Sequence, residues 1–158
     1  MDNHFIYEWV ARSNRREGED FIDIGDKFIS LWIAFNAWLK SEFGENVSDR
    51  VLIDTLSKFK PMNDAFDDEL ASNKKVSDSL SALEQFHIID MRDPNNEEKL
   101  TRYDGTFKSL IETLYRIRCN LFHGRKNIED DKYDKELVQL AFSILLPIFE
   151  NYMSNNGL

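Results

Sequence analysis

The chain has 158 residues, enough for one compact domain with a core of its own. Hydrophobic residues make up 42% and charged residues 31%, which excludes a disordered chain; 6 glycines and 3 prolines are too few for the repeated tight turns of a sandwich or barrel. A net charge of −9 argues against broad binding to polyanions, and the single cysteine, Cys119, excludes an internal disulfide and a cysteine-cluster metal site.

Taken in chain order, residues 4–15 read as a short helix or arm with Phe5, Trp9 and Val10 on one side. Over residues 19–43, Phe21, Ile24, Phe28, Leu31, Phe35 and Trp38 recur at alternating spacings of three and four, which predicts an amphipathic helix. Ile22, Ile29, Trp32 and Ile33 widen that stripe, so the helix needs cover on more than one side, from its own domain or also from a partner chain. Gly44 supplies the stop. A further helix starts near Ser48, with Val51, Leu52, Thr55, Leu56 and Phe59 inward, and ends before Pro61.

Residues 61–73 are polar and acidic and read as a loop or excursion with at most one helical turn. Val76, Leu80 and Leu83 mark a short helix, residues 86–89 a brief apolar run that can be extended, and residues 93–96 a turn. Residues 106–122 form the next long helix, with Phe107, Leu110, Leu114, Ile117 and Leu121 on one stripe, closed by His123-Gly124. The last helix covers residues 131–153, with Leu137, Leu140, Ile144, Leu145, Ile148 and Phe149 inward and a kink expected at Pro147. There is no repeat, low-complexity tract or domain-scale linker, so the expected fold is all-α, a single helical bundle over residues 1–158. No stretch is read as a run of about twenty apolar residues, and the first residues lack the pattern of a secretory signal. The expectation is a cytoplasmic protein with no membrane partner.

Chemistry concentrates in residues 102–126, which carry six basic residues (Arg102, Lys108, Arg116, Arg118, Arg125 and Lys126) against two acids, Asp104 and Glu112. A local basic spot on an acidic body can hold a phosphate. At about 100° per residue, Arg116, Asn120 and His123 share one polar side of the helix, while Arg118 falls inside the apolar arc near Leu114 and Leu121. A guanidinium placed there costs several kcal/mol (roughly) unless an anion or an acid meets it. His123 sits at the helix C-terminus, where the dipole favours its protonated form.

The run Arg118-Cys-Asn-Leu-Phe-His123-Gly resembles the signature of the HEPN superfamily, an arginine and a histidine separated by four to six residues. The run from Phe28 through Asn36 to Trp38 looks like an early core helix of bacterial HEPN-like proteins, and Asp90-Met-Arg-Asp93 like a run that precedes the motif helix in some of them. The likeness spans about residues 20–150. It implies a HEPN-like up-and-down bundle, metal-independent cleavage of RNA with no cofactor, and a homodimer that places two motifs across one cleft. It also implies a setting in toxin–antitoxin or anti-phage defence, with an antitoxin or another defence protein as a further partner.

On that resemblance Arg118, His123 and Asn120 are the catalytic candidates, and Arg116, Arg125 and Lys126 the RNA-binding ones. His123 serves as base or acid and Arg118 holds the non-bridging oxygens. Many active members carry a polar residue directly after the arginine, whereas here Cys119 holds that place and asparagine follows at Asn120; either Asn120 takes over or the site is weaker or dead. The spacing of Arg116 to His123 also satisfies the signature; the family match favours Arg118 and helix geometry alone favours Arg116. A non-catalytic HEPN module that binds RNA, a nucleotide or a protein partner is the alternative reading.

Plainer readings exist for each residue. His123 can be a capping histidine, and Arg118 a buried arginine paired with Asp23 or Asp26. Arg116, Arg125 and Lys126 can be a solvated face. His4 and His87 have no partners at metal spacing, and Asp67-Asp68-Glu69 or Asp90 with Asp93 read as solvated acids rather than a metal site. The aromatic residues are spaced as core, not as a base-stacking platform.

Overall fold

The computed structural model describes residues 3–15, 21–93, 95–123 and 132–158; for residues 21, 22, 123 and 132–134 it describes the backbone alone. Among the described residues there are seven α-helices and no strand: α1 (Asn3–Arg15), α2 (Phe21–Phe43), α3 (Asp49–Ser57), α4 (Lys60–Ser72), α5 (Lys74–Leu83), α6 (Phe107–His123) and α7 (Lys132–Asn155). The fold is all-α, as expected.

The core is one contiguous cluster to which every helix contributes. α2 and α7 pack on each other at its centre. Phe28, Leu31, Phe35 and Trp38 of α2 are fully or almost fully buried, and Phe35 meets Phe149 of α7 edge-on at 5.3 Å between ring centroids. Trp38 meets Tyr152 in the same way at 4.8 Å. α4 and α5 cover α7, while α3 and α6 pack on each other beside α2. α1 packs chiefly on α2.

α2 ends where the spacing placed its stop: Gly44 has φ +124, and a Cβ there would come within 2.8 Å of Val47 Cγ2. Two inward faces differ from expectation. In α1 the buried residues are Ile6, Val10 and Ser13, whereas Phe5 is 45% exposed. In α3 they are Leu52, Ile53 and Leu56; Val51 is 50% exposed and Thr55 is exposed too. A nine-residue helix fits more than one apolar arc, and docking decides which arc turns inward.

Residues 61–73 need a larger correction, because they lie almost wholly in α4 rather than in a loop. Pro61 sits in the first turn, where its missing N–H costs nothing, so the preceding helix stops at Ser57 and a new one begins. Three residues, Met62, Ala65 and Phe66, bury one narrow face while the acids point to water. Asn73 alone joins α4 to α5, its side chain accepting the N–H groups of Lys75 and Val76.

The last helix also changes one expectation. Lys135–Asn155 has mean hydropathy 1.3 over a window long and apolar enough, by length and composition, to cross a membrane. Half of that window is buried inside the protein, which fits the central helix of a packed core. Pro147 lies inside α7, which continues through it.

The segment between α5 and α6 is irregular. An antiparallel bridge joins Ile88 to Thr101 through hydrogen bonds of 2.8 and 2.9 Å. α6 then starts on a side-chain cap: Thr106 Oγ1 accepts the Ser109 N–H, and Asp104 Oδ1 accepts both the N–H and the hydroxyl of Thr106. The bonds with Ser109 and Thr106 hold the Asp104 carboxyl down to about 2.

Phe35→Ala is expected to lower the unfolding free energy in urea by about 3–5 kcal/mol, while Val51→Ala changes it by less than about 0.5 kcal/mol. Asp104 contributes stability that is complete above its ordinary value near 3.8 and is lost as pH falls through about 2. The melting-temperature gap between the protein and Asp104→Asn should therefore be small, since the carboxylate is exposed, and should close between about pH 4 and pH 2.

Candidate functional site

α6 carries every described candidate, and its two sides do different work. On one side Arg116 and Asn120 face the segment 88–93. Asn120 grips that segment by its backbone: Oδ1 accepts the Met91 N–H at 3.1 Å and Nδ2 donates to the Ile89 carbonyl at 2.7 Å. Between those two residues the Asp90 side chain turns inward and is almost fully buried.

Asp90 is neutralised from two directions. Arg116 Nη1 lies 3.1 Å from Asp90 Oδ2, and Arg92 bonds the carboxylate through Nε and Nη2, each at 3.3 Å. The Arg92 N–H donates to Asp90 Oδ1 at 3.0 Å. Burial pushes the Asp90 carboxyl up, but the bonds from Arg92 and the Arg116 charge outweigh it and hold the group below its ordinary value. The Arg116 contact is a charge pair rather than an aligned hydrogen bond: Nε and Nη1 are buried and lack hydrogen-bond geometry. Coulomb attraction at this distance does not need alignment, so the ion pair is the relevant interaction. At 18% exposure of its side chain, Arg116 is committed to Asp90.

Arg118 lies on the other side of α6 and has no such partner. No carboxylate among the described residues pairs with it, so the plainer reading, an arginine paired with an acid such as Asp23 or Asp26, finds no support among them. Its Nε is buried without a hydrogen bond, and Nη1 has only the Cys119 sulfur, at 3.9 Å. The guanidinium carbon stands 4.7 Å from the centroid of the Phe122 ring, one turn further on. Phe122 is 53% exposed, the highest value among the large apolar side chains of the described residues. Cys119 is buried.

α6 is held rigidly behind this surface. Arg50 of α3 bonds Glu112 at 2.6 and 3.2 Å, and the Tyr115 hydroxyl donates to Asp49 at 2.9 Å. Burial and that bond push the Tyr115 hydroxyl well above its ordinary value, so it stays protonated as a donor.

The structure thus sets Arg116 on Asp90 and Asn120 on the backbone either side of it, and sets Arg118 apart with Phe122. The α6 backbone ends at His123, whose side chain lies outside the described residues, as do Arg125 and Lys126. Among the described residues no three His, Cys, Asp or Glu side chains converge as metal ligands. Two participants carried little sequence signal. Asp90 stands out only within the run Asp90-Met-Arg-Asp93 and reads as a solvated acid, with nothing to mark it as the partner of Arg116, and Phe122 reads as one more apolar residue at a helix end.

Asp90→Asn strips Arg116 of its counter-charge. It is expected to cost about 2–3 kcal/mol in urea unfolding, less than the ~3–5 of a fully buried pair because Arg116 keeps some solvent contact. Asn120→Ala should cost about 1–3 kcal/mol and speed hydrogen exchange at the Met91 amide, which loses its acceptor. No family model, no curated protein and no solved structure matches this chain.

Proposed function

We propose that this chain is a metal-independent endoribonuclease of the HEPN type, acting as a homodimer. The observation that carries the reading is Arg118: a half-buried guanidinium in the motif position, with a buried Nε that makes no hydrogen bond and no carboxylate paired with it among the described residues. An unpaired cation of this kind costs free energy unless an anion completes it, and a phosphodiester is such an anion. Arg116, the other arginine that the signature allows, is already neutralised by Asp90. The all-α core, with the motif closing α6 and α7 following, is compatible with the up-and-down HEPN bundle.

The chemistry is in-line transesterification. A base takes the proton of the RNA 2′-hydroxyl, the resulting oxygen attacks the adjacent phosphorus, and the bond to the 5′-oxygen breaks as an acid protonates it. The products carry a 2′,3′-cyclic phosphate and a 5′-hydroxyl. His123 fills one of the two proton-transfer roles and the equivalent histidine of a second copy fills the other, which is why the site needs a dimer. Arg118 holds the non-bridging oxygens with its two-pronged donor face as charge builds on the phosphorane. Arg125 and Lys126 follow the motif and steer RNA to an otherwise acidic body. A role in toxin–antitoxin or anti-phage defence in the cytoplasm, opposed by an antitoxin, belongs to the same proposal.

One observation favours a second reading. Asn120 spends both its carbonyl and an amide proton on the backbone of residues 89 and 91, so it serves as an anchor rather than as the polar residue beside the catalytic arginine. A non-catalytic module of the same family, binding RNA, a nucleotide or a protein partner, fits that observation.

Labelled RNA incubated with the protein in EDTA separates the two. The enzyme yields fragments with cyclic phosphate ends, and both His123→Ala and Arg118→Ala abolish them. Arg118→Ala should leave the melting temperature unchanged or raise it, since an uncompensated charge is removed, whereas Arg116→Ala should lower it. Absence of cleavage of any RNA by the folded protein sinks the enzyme and leaves the module.

A further inference from the structure

The Phe122 ring is covered by the Arg118 guanidinium and is otherwise more than half open, at the end of α6 beside the motif histidine. Among the described residues the other exposed large aromatic side chains, Phe5 and Tyr7, both lie on α1, where Phe5 contacts Trp9. From this pairing we infer that Phe122 is a stacking platform for a nucleobase next to the phosphate that Arg118 holds. The inference deepens the ribonuclease reading and rests on it for the identity of the phosphate.

The argument is one of chemical fit. Among the described residues no carboxylate pairs with Arg118, Phe122 is 53% exposed, and the two groups are in contact. A nucleotide supplies both in one residue, a negative phosphate and a flat aromatic face joined through one sugar. A protein partner would have to bring a carboxylate and an apolar side chain from separate residues to the same place. The guanidinium also polarises the ring it covers, and a base stacked against Phe122 extends the same layered arrangement. Stacking needs a base that is free of its own helix, because the edges and faces of bases in a duplex are already occupied. The site is therefore expected to reject double-stranded RNA. It is also tolerant of base identity, since every base has such a face.

The test uses the full chain and a fluorescein-labelled 2′-O-methyl hexanucleotide, which binds but cannot be cleaved because its attacking hydroxyl is blocked. Anisotropy titration should show Phe122→Ala weakening binding by about five- to a hundredfold. Phe122→Trp should restore affinity to within about threefold, and Phe122→Leu, with similar apolar area and no aromatic face, should not. A duplex containing the same strand should compete poorly. Unchanged binding by Phe122→Ala, or rescue by leucine, overturns the platform. So does a shift from dimer to monomer in sedimentation velocity for Phe122→Ala, which assigns the ring to a contact between copies instead. The two proposals fail separately. Phe122-dependent binding without cleavage of ordinary RNA sinks the nuclease and keeps the platform, while cleavage with Phe122-independent binding does the reverse.

Discussion

A carboxylate at 3% exposure, Asp90, is held between two guanidinium groups, and this buried charge organises the contact between the segment 88–93 and α6. An ionised side chain taken out of water is tolerated only when its neighbours replace the water, and here Arg116 and Arg92 do so. The cost of separating them fixes the segment 88–93 against α6. Asn120 makes the fixation directional, because its amide takes one backbone donor and one backbone acceptor on either side of Asp90. The Ile88–Thr101 bridge ties the same segment back toward the start of α6.

That arrangement sorts the arginines of α6. Two residues apart on a helix, Arg116 and Arg118 point to well-separated directions, so a single acid cannot serve both. Arg116 meets Asp90, whereas Arg118 emerges where the described neighbours are a thiol and an aromatic ring. That no acid among the described residues meets Arg118 is therefore a consequence of how the helix is docked. Arg50 with Glu112 and Tyr115 with Asp49 hold the other flank of α6, so Arg118 is offered from a rigid support.

α2 and α7 supply that rigidity. Aromatic side chains from both helices interlock through Trp38, Phe35, Phe149 and Tyr152. These contacts join residues far apart in sequence. The hydropathy of α7 follows from the same role, since a helix covered by α2, α4 and α5 needs apolar residues on much of its circumference.

Periodicity in the sequence determined the all-α class, the span of α2, the glycine stop at Gly44 and the positions of α6 and α7, because each long helix carries a repeated apolar stripe that no other element can bury. The motif run from Arg118 to His123 was legible for the same reason, being a local pattern on a recognisable helix. Tertiary structure alone decided the rest. α4 has only three buried side chains among many acids, so its helix depends on what it packs against, and α3 chose Ile53 over Val51 by docking. Which arginine is committed depended on Asp90, twenty-six residues before Arg116 in the chain, and the openness of Phe122 depended on which neighbours fail to reach it. Local pattern records what a residue can bury; only the packed chain determines which partner arrives to bury it.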